Sequence, residues 1–253
     1  MNTQEISYTN NDSIQKIYFP TFNKTVEHQQ LLSAQLANII QDISENSEAR
    51  VVIIDGEEDA FNFQTQNLPA PQNKSELEER QLAQLIANIK CPTIMLCRGP
   101  IVGQGFEISL AADIRITNSH AIFIMPQLFW GQLPWDGGTQ RLSRLMGIPK
   151  SLDLMLTGRI MNSEEAFLSG LIYQRTDSHS IESTGMTLAK QIGKFAPIAM
   201  QYTKEAILNG YELPISAGLN LELDLNILLH STQDRLEGIS SFFEKRTPDF
   251  KGS

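Results

Sequence analysis

The stretch that decides the fold runs from Gly99 to Gly147, GPIVGQGFEISLAADIRITNSHAIFIMPQLFWGQLPWDGGTQRLSRLMG. An apolar run, Thr93 to Cys97, leads into it and reads as a buried strand. The run breaks on Gly99-Pro100-Ile101-Val102-Gly103-Gln104-Gly105, and Phe106 to Ala112 then reads as a short helix with Glu107 in its first turn. Glycine lets a backbone approach a ligand closely, and the first turn of a helix offers unpaired N–H groups to developing negative charge. A strand, a glycine turn and a helix start therefore predict a site for an oxyanion with a carboxylate beside it. A second turn, Trp135-Asp136-Gly137-Gly138, repeats the device ahead of a helix from Thr139 to Met146.

Working outward toward the N-terminus, Ile14 to Phe19 reads as a strand ending at Pro20. Leu32, Leu36, Ile39, Ile40 and Ile43 put an apolar stripe on a helix from Gln29 to Ile43. Arg50 to Gly56 is a continuous apolar run stopped by glycine, the pattern of a strand buried on both faces. Phe61-Asn62-Phe63-Gln64-Thr65-Gln66 follows it, then a Pro-, Asn- and Gln-rich loop from Asn67 to Ser75 suited to a mobile lid, then a helix over Glu76 to Ile89. Short strands are predicted at Ile114 to Thr117 and Ile122 to Ile124. Toward the C-terminus the pattern turns helical, with Ser163-Glu164-Glu165 as an N-cap and helices over 181–194, 196–208, 215–230 and 233–246. Strands first and helices last predict an α/β core over 1–162 and a helical region over 163–253.

Composition bounds the function. At 253 residues, 41% hydrophobic and 19% charged, the chain suits one sizeable globular core. A net charge of -9 argues against a nucleic-acid partner, while a few placed Lys or Arg side chains still suffice for a phosphate. No apolar run approaches the ~18 residues of a membrane span, and the polar start lacks signal-peptide character. Cys91 and Cys97 lie six positions apart across a predicted strand, too far to bridge easily, so a reduced cytoplasmic setting is expected.

Gly103-Gln104-Gly105-Phe106-Glu107 and Pro134-Trp135-Asp136-Gly137-Gly138-Thr139-Gln140-Arg141-Leu142 resemble the G-G-G-x-E and P-G-x-G-G-T-Q-R-L motifs of the crotonase (enoyl-CoA hydratase/isomerase) superfamily. The agreement continues through Leu156-Thr157-Gly158-Arg159, Ala166 with Gly170-Leu171, Glu237-Gly238, and Phe242-Phe243-Glu244-Lys245-Arg246 with Pro248 and Phe250. Such collinear agreement over nearly the whole chain is more specific than any glycine motif alone. The resemblance implies a crotonase-type β-β-α spiral with a helical C-terminal trimerisation region, assembled as a homotrimer or dimer of trimers. It also implies an acyl thioester of coenzyme A, or of an acyl-carrier protein, as substrate, with no metal and no permanently bound cofactor.

Carried over residue by residue, the family's thioester oxygen would sit between the backbone N–H groups of Thr65 and Gln104. Gln104 stands where the family has glycine, and Gln64 and Gln66 replace the Gly and Asp of its F-x-x-G-x-D. A backbone donor survives a change of side chain where the φ/ψ stays attainable, although the Gln104 side chain is expected to narrow the pocket. Hydratases of the family use two glutamates; Glu107 matches the first and Gln127 occupies the position of the second. An amide exchanges no proton at neutral pH, so Gln127 is expected to orient substrate or water. Asp136 is the substitute acid, its turn being similar to the F-D-G-G turn of 1,4-dihydroxynaphthoyl-CoA synthases; the alternative is a cap for the helix beginning at Gly137. Glu107 has an alternative of its own, as a carboxylate satisfying the helix dipole. Lys24, Phe242 and Lys245 match positions that meet the CoA nucleotide, and for both lysines a solvated surface charge is the other reading. Phe123, Phe129, Trp130 and Trp135 are either walls of an acyl pocket or core, His28 and His120 read as solvated, and His230 reads as a charge at a helix C-terminus.

The expected activity is thus hydration or a related lyase reaction on an acyl thioester, through an oxyanion-stabilised enolate. The alternatives are decarboxylation, resembling methylmalonyl-CoA decarboxylases that keep only the first glutamate, and C–C bond hydrolysis. A family member that binds a thioester without chemistry is the reading from a different class.

Overall fold

The computed structural model describes all residues except 1–4, 12, 47 and 64–67. Among the described residues, two sheets carry the core. The first pairs β1 (Ser7–Asn11) antiparallel with β2 (Ile14–Phe19) and continues in parallel through β3 (Val51–Gly56) and β5 (Thr93–Cys97) to β7 (Ile114–Asn118) and β10 (Gln174–Thr176). The second runs β4 (Asn62–Phe63), β6 (Pro100–Gly103), β8 (Ile122–Ile124) and β9 (Met161–Asn162), parallel except for its last pair. The chain alternates between the sheets, β3 to β4, β5 to β6 and β7 to β8, so each turn adds one strand to each sheet.

The helices are α1 (Val26–Glu45), α2 (Lys74–Arg80), α3 (Ala83–Ala87), α4 (Gln104–Ala111), α5 (Gly138–Met146), α6 (Ile148–Thr157), α7 (Ser163–Leu168), α8 (Ile181–Ile192), α9 (Pro197–Gly210), α10 (Ile215–Leu229) and α11 (Gln233–Glu244). The main core joins the α1 stripe of Leu32, Leu36, Ile39 and Ile43 to Phe61, Phe63, Phe106 and Phe123. A smaller cluster seats Ile181 and Ala189 of α8 on the opposite face of the first sheet, against Val51, Ile53, Ile94, Leu96 and Ile116. Each of the Val, Leu, Ile and Phe side chains among these, fully buried, contributes about 1.5–3 kcal/mol. The rear of the chain thus returns to the sheet through β10 and α8, whereas α10 packs on α9 and leaves Ile215, Leu219, Leu223 and Ile227 exposed along one stripe.

Several sequence expectations are corrected. The helix expected over 76–89 is two helices, because Gln81 is extended (φ -69°, ψ 124°) and a distant carboxylate caps the second. Asn73 caps the first, which starts two residues earlier than expected. Asn162, and not Ser163, is the N-cap of α7, its side chain accepting from the Glu165 N–H. His28 is buried, not solvated; its Nδ1 accepts from the Asn23 N–H at 3.1 Å and its ring stacks on Phe22. Phe123 is core, packed on Phe106, and Phe129 is largely exposed and lies over Gly158. Cys91 and Cys97 are buried free thiols.

Candidate active site

The first glycine turn is shaped by close backbone contact. A Cβ at residue 105 would lie 1.9 Å from the Phe61 carbonyl oxygen, and one at residue 103 would lie 2.6 Å from that of Phe63. Residue 103 also needs φ +60°. Both positions therefore demand glycine, which leaves Gln104 as the one side chain between them. Gln104 opens α4, so its N–H, like those of any first turn, has no partner within the helix.

One turn further, Glu107 is completely buried. Its Oε1 accepts the backbone N–H groups of Asp136 and Gly138, both at 2.8 Å. Among the described residues its Oε2 has a single long contact, 3.5 Å from Gln127 Nε2. Burial raises the carboxyl pKa, the nearby Asp136 charge adds to the rise, and the two N–H donors oppose it, so the group ends at about 8. Gln127 sits in a short 3-10 turn, Gln127–Trp130, and its buried Oε1 has no hydrogen-bond partner among the described residues. A half-satisfied amide beside a neutral carboxylic acid is an arrangement suited to a small polar group between them.

Asp136 is equally buried and differently engaged. Its Oδ2 accepts the N–H groups of Leu82 and Ala83, both at 2.8 Å, and its Oδ1 accepts that of Gln84 at 3.2 Å. The helix it caps is therefore α3, across the fold, while the N-cap of α5 is Gly137 without a side-chain bond. Burial raises its pKa, and the hydrogen bonds from Gln104 and the three N–H groups oppose the rise.

The Gln104 side chain turns into this interior rather than across the pocket. Its Nε2 donates to Asp136 Oδ2 and to the Arg80 carbonyl, each at 2.8 Å, and its Oε1 accepts from Gln29 Nε2. Gln29 Oε1 in turn accepts from Arg80 Nε at 2.6 Å, and the Arg80 guanidinium lies 5.3 Å from the centroid of the Trp135 ring. Sequence reasoning missed Gln29 and Arg80. A signal for Gln29 existed: it falls three residues before Leu32 on the buried stripe of α1, where a polar residue needs a partner.

The remaining expected residues lie elsewhere or out of view. Thr65 lies outside the described residues. Lys24 (φ 62°), Lys245 (φ 57°) and Phe242 are exposed, the last two at the end of α11. Trp135 is half-buried under Arg80, and Trp130 is also half-buried. Among the described residues no group of three or more His, Cys, Asp and Glu side chains is placed to hold a metal ion.

Comparison with known proteins identifies the family. The model of the enoyl-CoA hydratase/isomerase family matches residues 10–253. The 2,3-dehydroadipyl-CoA hydratase of Escherichia coli K12 is 31% identical over 252 residues, covering 94% of this chain and 96% of that protein. A probable mitochondrial enoyl-CoA hydratase 2 of Arabidopsis thaliana is 37% identical over 174 residues, 69% of this chain, and the match spans only 58% of that relative's length. The crystal structure of an enoyl-CoA hydratase from Bacillus anthracis superposes with a TM-score of 0.88 at 30% identity, over 98% of this chain and 99% of that one. The chain belongs to the enoyl-CoA hydratase/isomerase family, and its fold is the crotonase-type spiral with a helical C-terminal region.

Proposed function

We propose that this protein adds water to, or removes it from, an α,β-unsaturated acyl-CoA thioester, with Glu107 as its single proton-transfer group. One observation carries the reading: among the described residues, Glu107 Oε2 is the one carboxylate oxygen of the two buried acids left without a strong donor. Both oxygens of Asp136 are taken by three N–H groups and an amide. In this reading the thioester oxygen lies at the Gln104 N–H, with Thr65 as the second donor by resemblance, and these stabilise the enolate. Glu107 takes a proton from water held at Gln127 Oε1 and delivers it to Cα. Asp136 then serves by holding, through its N–H on Glu107 and its cap on α3. The relatives' names support a hydratase, and the 2,3-dehydroadipyl relative makes a dicarboxylic acyl chain the first substrate to try.

A second reading has its own observation. A carboxyl with a pKa near 8 is mostly neutral at pH 7 and is ready to protonate an enolate left by loss of carbon dioxide. Incubating the protein with enoyl-, 3-hydroxyacyl- and malonyl-type CoA thioesters in ¹⁸O-labelled water, followed by mass spectrometry, separates the two. Gain of labelled water supports hydration; loss of 44 mass units, about one carbon dioxide, supports decarboxylation. Neither, over the whole panel, rejects both.

We further propose that CoA presents the thioester, that Lys24, Phe242 and Lys245 meet its nucleotide, and that no cofactor is held permanently. The exposed stripe of Ile215, Leu219, Leu223 and Ile227 motivates assembly into a trimer or dimer of trimers.

A further inference from the structure

We propose that Gln29 is a positioning residue for the reaction: acting through Gln104, it fixes the oxyanion N–H relative to the Glu107 carboxyl. The inference rests on the thioester-enolate reading of the site. Gln29 itself is fully buried on α1 and belongs to no part of the glycine turns.

The argument starts from the turn. Gly103 and Gly105 flank the Gln104 N–H, and their close approach to the Phe63 and Phe61 carbonyls fixes the turn from one side. The Gln104 side chain anchors the same residue from the other. Every hydrogen-bonding atom of its amide is engaged, with Nε2 donating twice and Oε1 accepting from Gln29. Gln29 is held in turn by Arg80, whose guanidinium lies by the ring of Trp135.

The same network reaches Glu107 from its other side. Asp136, which accepts from Gln104 Nε2, gives its backbone N–H to Glu107 Oε1. The oxyanion donor and the proton-transfer group are therefore tied to one another by a circuit of side chains, none more than 2% exposed among Gln29, Arg80, Gln104 and Asp136. In a buried network each unpaired member is costly, so the circuit has one arrangement rather than several. The geometry supplies what an oxyanion site requires, donors fixed before charge develops.

The test compares Gln29→Met, which fills the volume without the amide, with Gln104→Gly, which keeps the N–H and removes its tether. The readouts are kcat, KM and the infrared carbonyl stretch of a bound ¹³C-labelled CoA thioester. We expect kcat to fall roughly tenfold in each, below the loss for deleting an oxyanion donor outright, with KM within about twofold. The carbonyl stretch should move back toward its value in water. The double variant should be no slower than the worse single one, because both act on one tether. If both variants melt at lower temperature yet keep wild-type kcat and carbonyl stretch, the network is purely structural and the proposal is overturned. Should Gln29→Met not fold, Gln104→Gly alone decides: wild-type kcat and carbonyl stretch in that variant overturn it. A wild-type protein that neither turns over nor shifts any thioester carbonyl rejects the function reading, and this inference with it. Loss of turnover in Glu107→Gln alongside unchanged Gln29→Met rejects the inference alone.

Discussion

Asp136 hands its backbone N–H to Glu107 Oε1 at 2.8 Å while its own carboxylate faces away, capping α3 through Leu82, Ala83 and Gln84. The two buried acids are therefore engaged differently from adjacent positions. Oppositely directed hydrogen bonds leave one of them with an underused oxygen and the other with none.

Replacing Glu107 by Gln should lower kcat by ~10²-fold or more while thioester binding is kept, because the backbone donors remain. Steady-state kinetics with calorimetric binding on the same substrate check both halves. Wild-type turnover in this variant ends the assignment of Glu107.

The pH dependence of kcat/KM, which reports the free enzyme, should show one ionisation near the pKa of about 8 that burial gives Glu107. Hydration needs the carboxylate as a base, so its rate should rise as pH increases through 8. Protonation of an enolate after decarboxylation needs the acid, so that rate should fall over the same range. The direction of the limb identifies the reaction independently of product analysis.

Stability should follow the same group. The native carboxyl holds its proton to about pH 8, while the unfolded one releases it near its ordinary value of 4.5. Stability from this group is thus complete below pH 4.5 and is lost as pH rises toward 8. Asp136, raised in the same direction, adds to the loss. The slope is at most about 1.4 kcal/mol per pH unit per group. Denaturant titrations at several pH values should find it reduced in Glu107→Gln, which cannot ionise there.

Asp136→Asn should chiefly destabilise. An amide offers one acceptor and places N–H against the donors of α3, a loss of about 1–3 kcal/mol for each buried group left unpaired. Melting temperature and kcat measured together separate this from proton transfer. A folded variant of undiminished stability with kcat down ~10²-fold would instead make Asp136 the second acid.

Gly105→Ala should abolish folding or cost more than about 3 kcal/mol, since its Cβ would lie 1.9 Å from the Phe61 carbonyl oxygen, a backbone atom with no room to yield. Soluble yield and thermal melting are the measurements, and an alanine variant of native stability would contradict the turn geometry.

The sequence alone determined the local chemistry: glycines where backbones touch, a carboxylate one turn into a helix, apolar runs for strands and a 3.6-residue stripe for α1. These are consequences of sterics and periodicity, which act over a few residues, and the collinear motifs extended them to the spiral and its family. What the Asp136 carboxylate binds was decided only by tertiary structure. Its alternatives as acid or as cap of the following helix both came from its neighbours in sequence, whereas the N–H groups it accepts are more than fifty residues away. The break at Gln81 had the same cause, since a helix divides where a distant carboxylate captures its N–H groups. The Gln29–Gln104 tether was invisible for the same reason. Hydrogen-bond partners of buried polar groups are chosen by packing in three dimensions, and a linear pattern marks such a group only as a polar residue on an apolar face.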